Sequence, residues 1–220
     1  MPGRTVIVTG ATGLVGRCML EALLADPGDV TVHSLGRRPL GMAHPRLTSH
    51  VVDFAALPAL PLADEVYLAL GTTIKVAGSA AAFRAIDHDA NLAVATAALA
   101  AGARRAGLVS AMGADARSKV FYSRVKGELE NALAQMPFER LVFARPSLLM
   151  GNRKALGQPA RLGEAWGLAF GTALGFLIPA NYKPIEASSV ARALLDAVPH
   201  GTGIEVLMSG AMQRQARRPG

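Results

Sequence analysis

Apolar runs of four to six residues, most of them ending at glycine or a small polar residue, alternate along this chain with segments whose apolar residues recur every three or four positions. Residues 4–9, Arg-Thr-Val-Ile-Val-Thr, form a β-branched run closed by Gly10, the pattern of a strand covered on both faces. From Gly13 to Leu24 the apolar positions fall at Leu14, Met19, Leu20, Leu23 and Leu24, which is helical spacing. Further strands are predicted at Val30–Leu35, Leu47–Val52 and Val66–Leu70, the last closed by Gly71. A long helix is predicted over Ala80–Ala101 with Gly102 as its stop, then a strand over Gly107–Ser110. Next come a helix over Phe121–Met136 closed by Pro137, and a strand over Arg140–Ala144. Strands alternating with helices at this spacing predict an α/β fold, a right-handed doubly wound parallel sheet. Beyond Pro146 the pattern loosens to a helix over Glu186–Val198 and a strand over Gly203–Met208. We read one dinucleotide-binding type of domain over residues 1–220. Residues 147–210 form a small substrate-side lid in this reading, and 211–220 a basic, frayed tail.

The first strand-to-helix junction carries chemistry. Thr9-Gly10-Ala11-Thr12-Gly13-Leu14-Val15-Gly16 spaces its glycines as G-x-x-G-x-x-G. Gly10 permits a tight turn, Gly13 lets backbone approach a pyrophosphate, and Gly16 lets the helix pack on the sheet. Phosphates then lie over the first-turn amides, where free N–H groups and the helix dipole favour anions. The motif is weak alone and gains weight from its strand–turn–helix context. At the end of the second strand, Ser34-Leu35-Gly36-Arg37-Arg38 has no carboxylate to bind a ribose 2′-hydroxyl. Its two guanidiniums suit a 2′-phosphate, so the expected cofactor is NADP(H), against the plainer reading of two surface charges. After the third strand, Asp53, followed by Phe54, fits either an acceptor for the adenine amino group or a loop cap.

Tyr122 and Lys126 stand at i and i+4, on one face of the predicted helix. A phenol ordinarily titrates near 10, so at neutral pH it needs help to exchange a proton. A neighbouring ammonium and a cationic nicotinamide both favour phenolate. Lys126 can also hold the ribose next to the nicotinamide. Ser110, ending the fifth strand, can hydrogen-bond a substrate oxygen as charge develops on it. The alternative is a surface Tyr–Lys pair with Ser110 as a turn residue.

Composition narrows the classes. The formal charge is +7, and 18 of the 23 cations are Arg. The densest basic stretch is the terminal Arg214, Arg217 and Arg218, and no basic stripe interleaved with aromatics occurs, so nucleic acid is not expected as a partner. The lone Cys18 rules out an internal disulfide and falls in the first helix, where a buried inert thiol fits. No metal site is expected. The apolar stretch Trp166–Pro179 is too short and glycine-broken to span a bilayer, and suits a helix on the core or at a subunit interface. With Met1-Pro2-Gly3-Arg4 running straight into a strand, no signal peptide is expected and the protein reads as cytoplasmic.

Together, the glycine turn, Gly36-Arg37-Arg38, Val51-Val52-Asp53-Phe54, Leu70-Gly71-Thr72-Thr73 and the Tyr122/Lys126 pair resemble the atypical short-chain dehydrogenases. Within them the likeness is to the branch of the human Tat-interacting protein and its bacterial relatives. Lys126-Gly127-Glu128, Arg145-Pro146 and Gly113-Ala114-Asp115 match as well. The resemblance implies an NADPH-binding fold with Tyr122 as proton donor or acceptor and Lys126 as its partner. It also implies that Gly71 and Thr72 line the cofactor, that Pro146 sits near the nicotinamide carboxamide, and that Asn91 braces a neighbouring strand. Two departures stand out: only Ser110 of the usual serine pair is hydroxylic, Ala111 following it, and the substrate region is short for a nucleotide sugar. Two functions follow. One is an NADPH-dependent reductase or dehydrogenase of a small carbonyl or alcohol; the other is an NADP(H)-binding sensor that regulates a protein partner. Homodimer formation is open. Trp166, Phe170, Phe176 and Tyr182 are read as core rather than pocket lining.

Overall fold

The computed structural model describes residues 3–151 and 179–216. Seven parallel strands form one sheet: β1 (Arg4–Thr9), β2 (Val30–Gly36), β3 (Leu47–Val51), β4 (Glu65–Leu68), β5 (Arg105–Val109), β6 (Arg140–Arg145) and, after the short β7 and β8 below, β9 (Gly203–Met208). Their order is β3-β2-β1-β4-β5-β6-β9, so the chain leaves β1 toward one edge and returns beside it as β4. This reversal makes a crevice at the carboxyl ends of β1 and β4, the place where open α/β sheets bind ligands. Thr9 stitches it shut below: its hydroxyl donates to the Tyr67 carbonyl (3.3 Å) and accepts from the Ala69 amide (3.1 Å).

Helices cover both faces. Val6 and Val8 point to one side of β1, where α1 (Leu14–Ala25) packs through Met19, Leu20 and Leu23. Ile7 points to the other, where α4 (Asn91–Ala100) and α5 (Phe121–Ala134) pack through Val94, Ala95, Leu129 and Leu133. This period-2 division of one strand between two cores is why its sequence reads as continuously apolar. α6 (Ala187–Ala197) joins the α1 side through Val190 and Leu194.

The long helix predicted over Ala80–Ala101 is not one helix. Short α2 (Ile74–Ala77) precedes α3 (Ala80–Arg84), and a wide π turn over Ala85–Ala90 separates α3 from α4. Propensity in this Ala-rich run favours a continuous α-helix. The wider turn is instead held by Asn91, whose amide donates to the carbonyls of Ile86 (3.4 Å), Asp87 (3.1 Å) and Leu70 (3.1 Å). It also turns Asp87 into the protein.

Past β6, β7 (Leu149–Met150) pairs in parallel with β8 (Ile185–Glu186). The Ser147 amide donates to Ser209 Oγ (2.8 Å) and the Ser147 hydroxyl to the Lys183 carbonyl (2.5 Å), tying the C-terminal segment to the end of β6. Residues 211–216, read as the start of a tail, continue α7 (Ser209–Ala216). Met212 is fully buried there and anchors it, which the basic composition hid. Residues 152–178, with Trp166, Phe170 and Phe176, and residues 217–220, with Arg217 and Arg218, lie outside the described residues. Tyr182 is described and exposed rather than core.

Candidate cofactor and catalytic site

Parallel strands deliver their carboxyl ends to one edge, so Gly10, Arg37, Asp53, Gly71, Ser110 and Pro146 all gather there. Gly10 has φ +69°, and a Cβ on it would lie 2.2 Å from the Ala69 carbonyl oxygen, so both conformation and space demand glycine. Its own carbonyl accepts from the Gly13 amide at 2.8 Å. A Cβ on Gly16 would lie 2.2 Å from that same Gly10 oxygen, so the helix can approach the turn only as glycine. α1 starts at Gly13 with no side-chain cap, and the amides of Leu14, Val15 and Gly16 open the helix without partners inside it. A small, uncapped and glycine-lined helix start of this kind fits a diphosphate. Thr12 is exposed beside it.

Arg37 and Arg38 are exposed just past β2, and neither guanidinium is ion-paired among the described residues. Asp53 follows β3 and accepts from the Ala55 amide at 2.9 Å, so one of its oxygens makes the loop cap. Phe54 is partly buried against the α4 side of the sheet.

Lys126 is buried one helical turn after Tyr122, and its ammonium lies 2.7 Å from Asp87 Oδ1, with side-chain exposures of 4% and 1%. Asp87 Oδ2 accepts from the Thr72 amide at 2.8 Å. Gly71 packs on this pair: a Cβ there would be 3.5 Å from Asp87 Oδ1 and 4.0 Å from Lys126 Nζ. Tyr122 is 36% exposed, its ring resting 5.5 Å from that of buried Phe83, and its hydroxyl has no hydrogen-bond partner among the described residues. A buried ammonium one helical turn from an open phenol can steady a ligand and leave the phenol free to pass a proton. Asn91 braces the end of β4 through the Leu70 carbonyl, as the resemblance implied.

Ser110 is placed differently from the expectation. It is buried and donates its hydroxyl to Glu130 Oε1 at 2.5 Å, while Arg145 Nε approaches the same carboxylate at 3.0 Å and Nη2 reaches Oε2 at 2.5 Å. A hydroxyl has one proton, and here it is committed to a carboxylate. Ser110 therefore ties β5 to α5 and has no donor to offer a substrate oxygen. The hydrogen bond to Glu130 raises the Arg145 pKa above its ordinary value, opposed by burial, and keeps the guanidinium charged. Pro146 is buried, and its carbonyl accepts from the Met112 amide at 3.0 Å, joining the ends of β5 and β6.

Three participants escaped sequence reasoning. Glu130 follows Tyr122 and Lys126 at i+8 on one helix face, and a carboxylate on the buried face of an amphipathic helix was a readable signal. Asp87 was concealed by the assumption of a regular helix. Gly127 shows in the sequence only as part of the Lys126-Gly127-Glu128 match, with no steric role attached. A Cβ on it would stand 2.2 Å from the Ala116 amide nitrogen, so glycine lets α5 press against the loop after β5.

Cys18 is half-buried rather than buried as expected, and its thiol pKa is pushed up by burial and then by Glu21 and Glu186.

Residues 10–138 match the model of the NAD(P)H-binding family. "Protein FMP52, mitochondrial" of Coccidioides immitis is 34% identical over 212 residues, 88% of this chain and 85% of that protein. "Protein HTATIP2" of Rattus norvegicus is 33% identical over 221 residues, 96% and 89% of the two chains. Among solved structures, MoeE5 in complex with UDP-glucuronic acid and NAD has a TM-score of 0.70, covering 94% of this chain and 76% of that one. At 19% identity that likeness concerns the fold alone. These relatives correct one expectation. The Coccidioides protein and those of Candida albicans and Emericella nidulans are named mitochondrial, against the cytoplasmic reading. The composition of the first few residues is too little to assign a compartment. Among the described residues no helix is long and apolar enough to cross a membrane.

Proposed function

This chain belongs to the NAD(P)H-binding family and, with its fungal and rat relatives, to the atypical short-chain dehydrogenases; from that premise we propose that it is an NADPH-dependent oxidoreductase of a small carbonyl or alcohol. A nicotinamide held here would supply or accept a hydride at the substrate carbon. In this reading the protein's own groups divide the remaining work. The first-turn amides of α1, over Gly10, Thr12, Gly13, Leu14, Val15 and Gly16, hold the diphosphate. Arg37 and Arg38 take the 2′-phosphate in charge-assisted bonds, while Asp53 and Phe54 border the adenine. Gly71, Thr72 and Pro146 line the nicotinamide side, and Lys126 holds its ribose. Tyr122 donates its phenolic proton to the substrate oxygen in reduction and takes one back in oxidation.

The observation that carries this reading is the exposed Tyr122, its hydroxyl unpartnered among the described residues, one turn from the buried Lys126 ammonium and at the edge where the glycine turn ends. The test follows NADPH absorbance at 340 nm across a panel of aldehydes, ketones and quinones. Tyr122→Phe is expected to lower kcat by about 100-fold or more with NADPH affinity little changed. A fully active Tyr122→Phe variant would refute the role given to the phenol.

The bond from Ser110 to Glu130, with Ala111 beside it, favours a second reading, an NADP(H)-binding sensor with little or no turnover. A protein that binds NADPH tightly yet oxidises it with no member of the panel would support the sensor.

A further inference from the structure

We propose that Asp87 is the positioning residue of this site, one carboxylate that sets both the Lys126 ammonium and the Thr72 amide in the register the cofactor meets. The proposal rests on the cofactor-binding reading above and adds a residue to it. Asp87 and Lys126 are 1% and 4% exposed, and their charged atoms are 2.7 Å apart. An ammonium this deep is costly unless a countercharge faces it, and Asp87 supplies one at ion-pair distance, though the two make no aligned hydrogen bond. The other charged groups on the elements packed around it are engaged elsewhere. Glu128 pairs with Arg84, Glu130 with Arg145, and Asp89 with His88. Among the described residues Asp87 is therefore the sole counter-ion of Lys126.

The second oxygen of Asp87 does separate work. It accepts from the Thr72 amide at 2.8 Å in the loop after β4, the loop that closes one side of the crevice. Gly71 lies beside both charges: a Cβ there would stand in ordinary contact with Asp87 Oδ1 (3.5 Å) and Lys126 Nζ (4.0 Å). The π turn is what brings Asp87 to this place, and Asn91 clamps that turn by donating to the Asp87 and Leu70 carbonyls. Wide turns inserted in α-helices recur at functional sites, and this one has a definable task. Asp87 and Lys126 leave the loop and the ammonium already in place before a ligand arrives, so little ordering cost falls on binding.

The two tasks of Asp87 can be separated by substitution. Asp87→Asn keeps an acceptor for the Thr72 amide and removes the charge facing Lys126; Asp87→Glu keeps the charge. NADPH affinity is measured by fluorescence titration from pH 6.5 to 9, with thermal stability followed in parallel. In wild-type protein the affinity is expected to vary little over that range. In Asp87→Asn the lone ammonium gives up its proton as pH rises, so affinity should fall about tenfold or more by pH 9. Asp87→Glu should stay within about threefold of wild type with the same flat profile. A carboxylate that merely braced the loop would leave Asp87→Asn flat as well, and that result would overturn the proposal. Should Asp87→Asn fold poorly, the double variant Asp87→Asn/Lys126→Met is expected to recover stability, because no charge is left buried alone. Failure of the second substitution to restore it would equally overturn the pairing. If wild-type protein binds neither NADPH nor NADH, the cofactor reading falls, while the stability comparison still tests the pair.

Discussion

Substituting Gly16 by Ala isolates the steric demand of the cofactor turn. Gly16 lies within α1 and its φ is not in the left-handed region, so alanine meets no dihedral penalty. On propensity alone the change would stabilise a helix interior by about 1 kcal/mol. The added Cβ, however, would sit 2.2 Å from the Gly10 oxygen and 2.5 Å from its carbonyl carbon, where ordinary contact begins at 3.4 Å. Backbone must open by about 1.2 Å, and no rotamer relieves a backbone clash. The Gly10 carbonyl is poorly placed to yield, because it accepts from Gly13 and the residue itself abuts Ala69. Overpacking of this kind costs about 1–3 kcal/mol, and the pinned carbonyl argues for the upper end. The net loss is then about 2 kcal/mol, or about 4–8 °C in Tm for a chain of this size. Thermal unfolding followed by circular dichroism measures it, and NADPH titration should show affinity reduced about tenfold or more as the turn shifts. Gly78→Ala is the counterpart. Its φ is +86° with open space around the Cβ, so it should cost only the left-handed penalty of about 1–2 kcal/mol and leave cofactor binding alone. A Gly16→Ala protein with wild-type Tm and affinity would refute the reasoning.

Replacing Arg37 and Arg38 together by Ala should weaken NADPH by about 10–100-fold and leave NADH nearly unchanged, since a bond to a charged group contributes about 1.5–3 kcal/mol and two exposed guanidiniums share one phosphate without adding in full; parallel titrations decide it, and equal losses for both nucleotides would argue against a 2′-phosphate site. His33 and His50 share a 3.0 Å contact between Nδ1 and Nε2 across β2 and β3, and burial, then the His50 charge, hold the His33 pKa below its ordinary value. The unfolded chain therefore takes up a proton near pH 6.5 that the native state resists. Stability should be lost as pH falls from about 6.5 through the lower native value, by at most about 1.4 kcal/mol per pH unit from this group. Urea unfolding across pH 5–7 checks this, and the slope should shrink in His33→Gln. Arg145→Met leaves the Glu130 carboxylate, 5% exposed, with Ser110 as its one remaining partner among the described residues. The guanidinium is partly solvated, so the cost should sit near the low end for breaking a buried pair, about 3 kcal/mol, read from urea unfolding; adding Glu130→Gln should recover part of it.

Much of the scaffold was legible because its signals are local. A buried parallel strand is apolar on both faces, so β1 shows in Val6-Ile7-Val8 without knowledge of its neighbours. The turn from Gly10 to Gly16 shows because backbone sterics leave few other residues able to occupy it. Tyr122 and Lys126 show because an i, i+4 spacing puts both on one face of any helix. By itself, then, the amino-acid order determined the alternation of strands and helices, the glycine turn, the missing carboxylate after β2 and the pairing of phenol with ammonium.

What the sequence could not determine are relations between distant segments. Ser110 looked like a substrate ligand until the fold set Glu130 and Arg145 against it and took its single proton. Asp87 stands far from Lys126 along the chain, and only the wide turn clamped by Asn91 swings it to within 2.7 Å of the ammonium. Helix propensity gives no warning of that turn, because the hydrogen bond from Asn91 to Leu70 which supports it is tertiary. Hydrogen-bond capacity is a property of residue type, but which partner uses it up is decided when the elements pack.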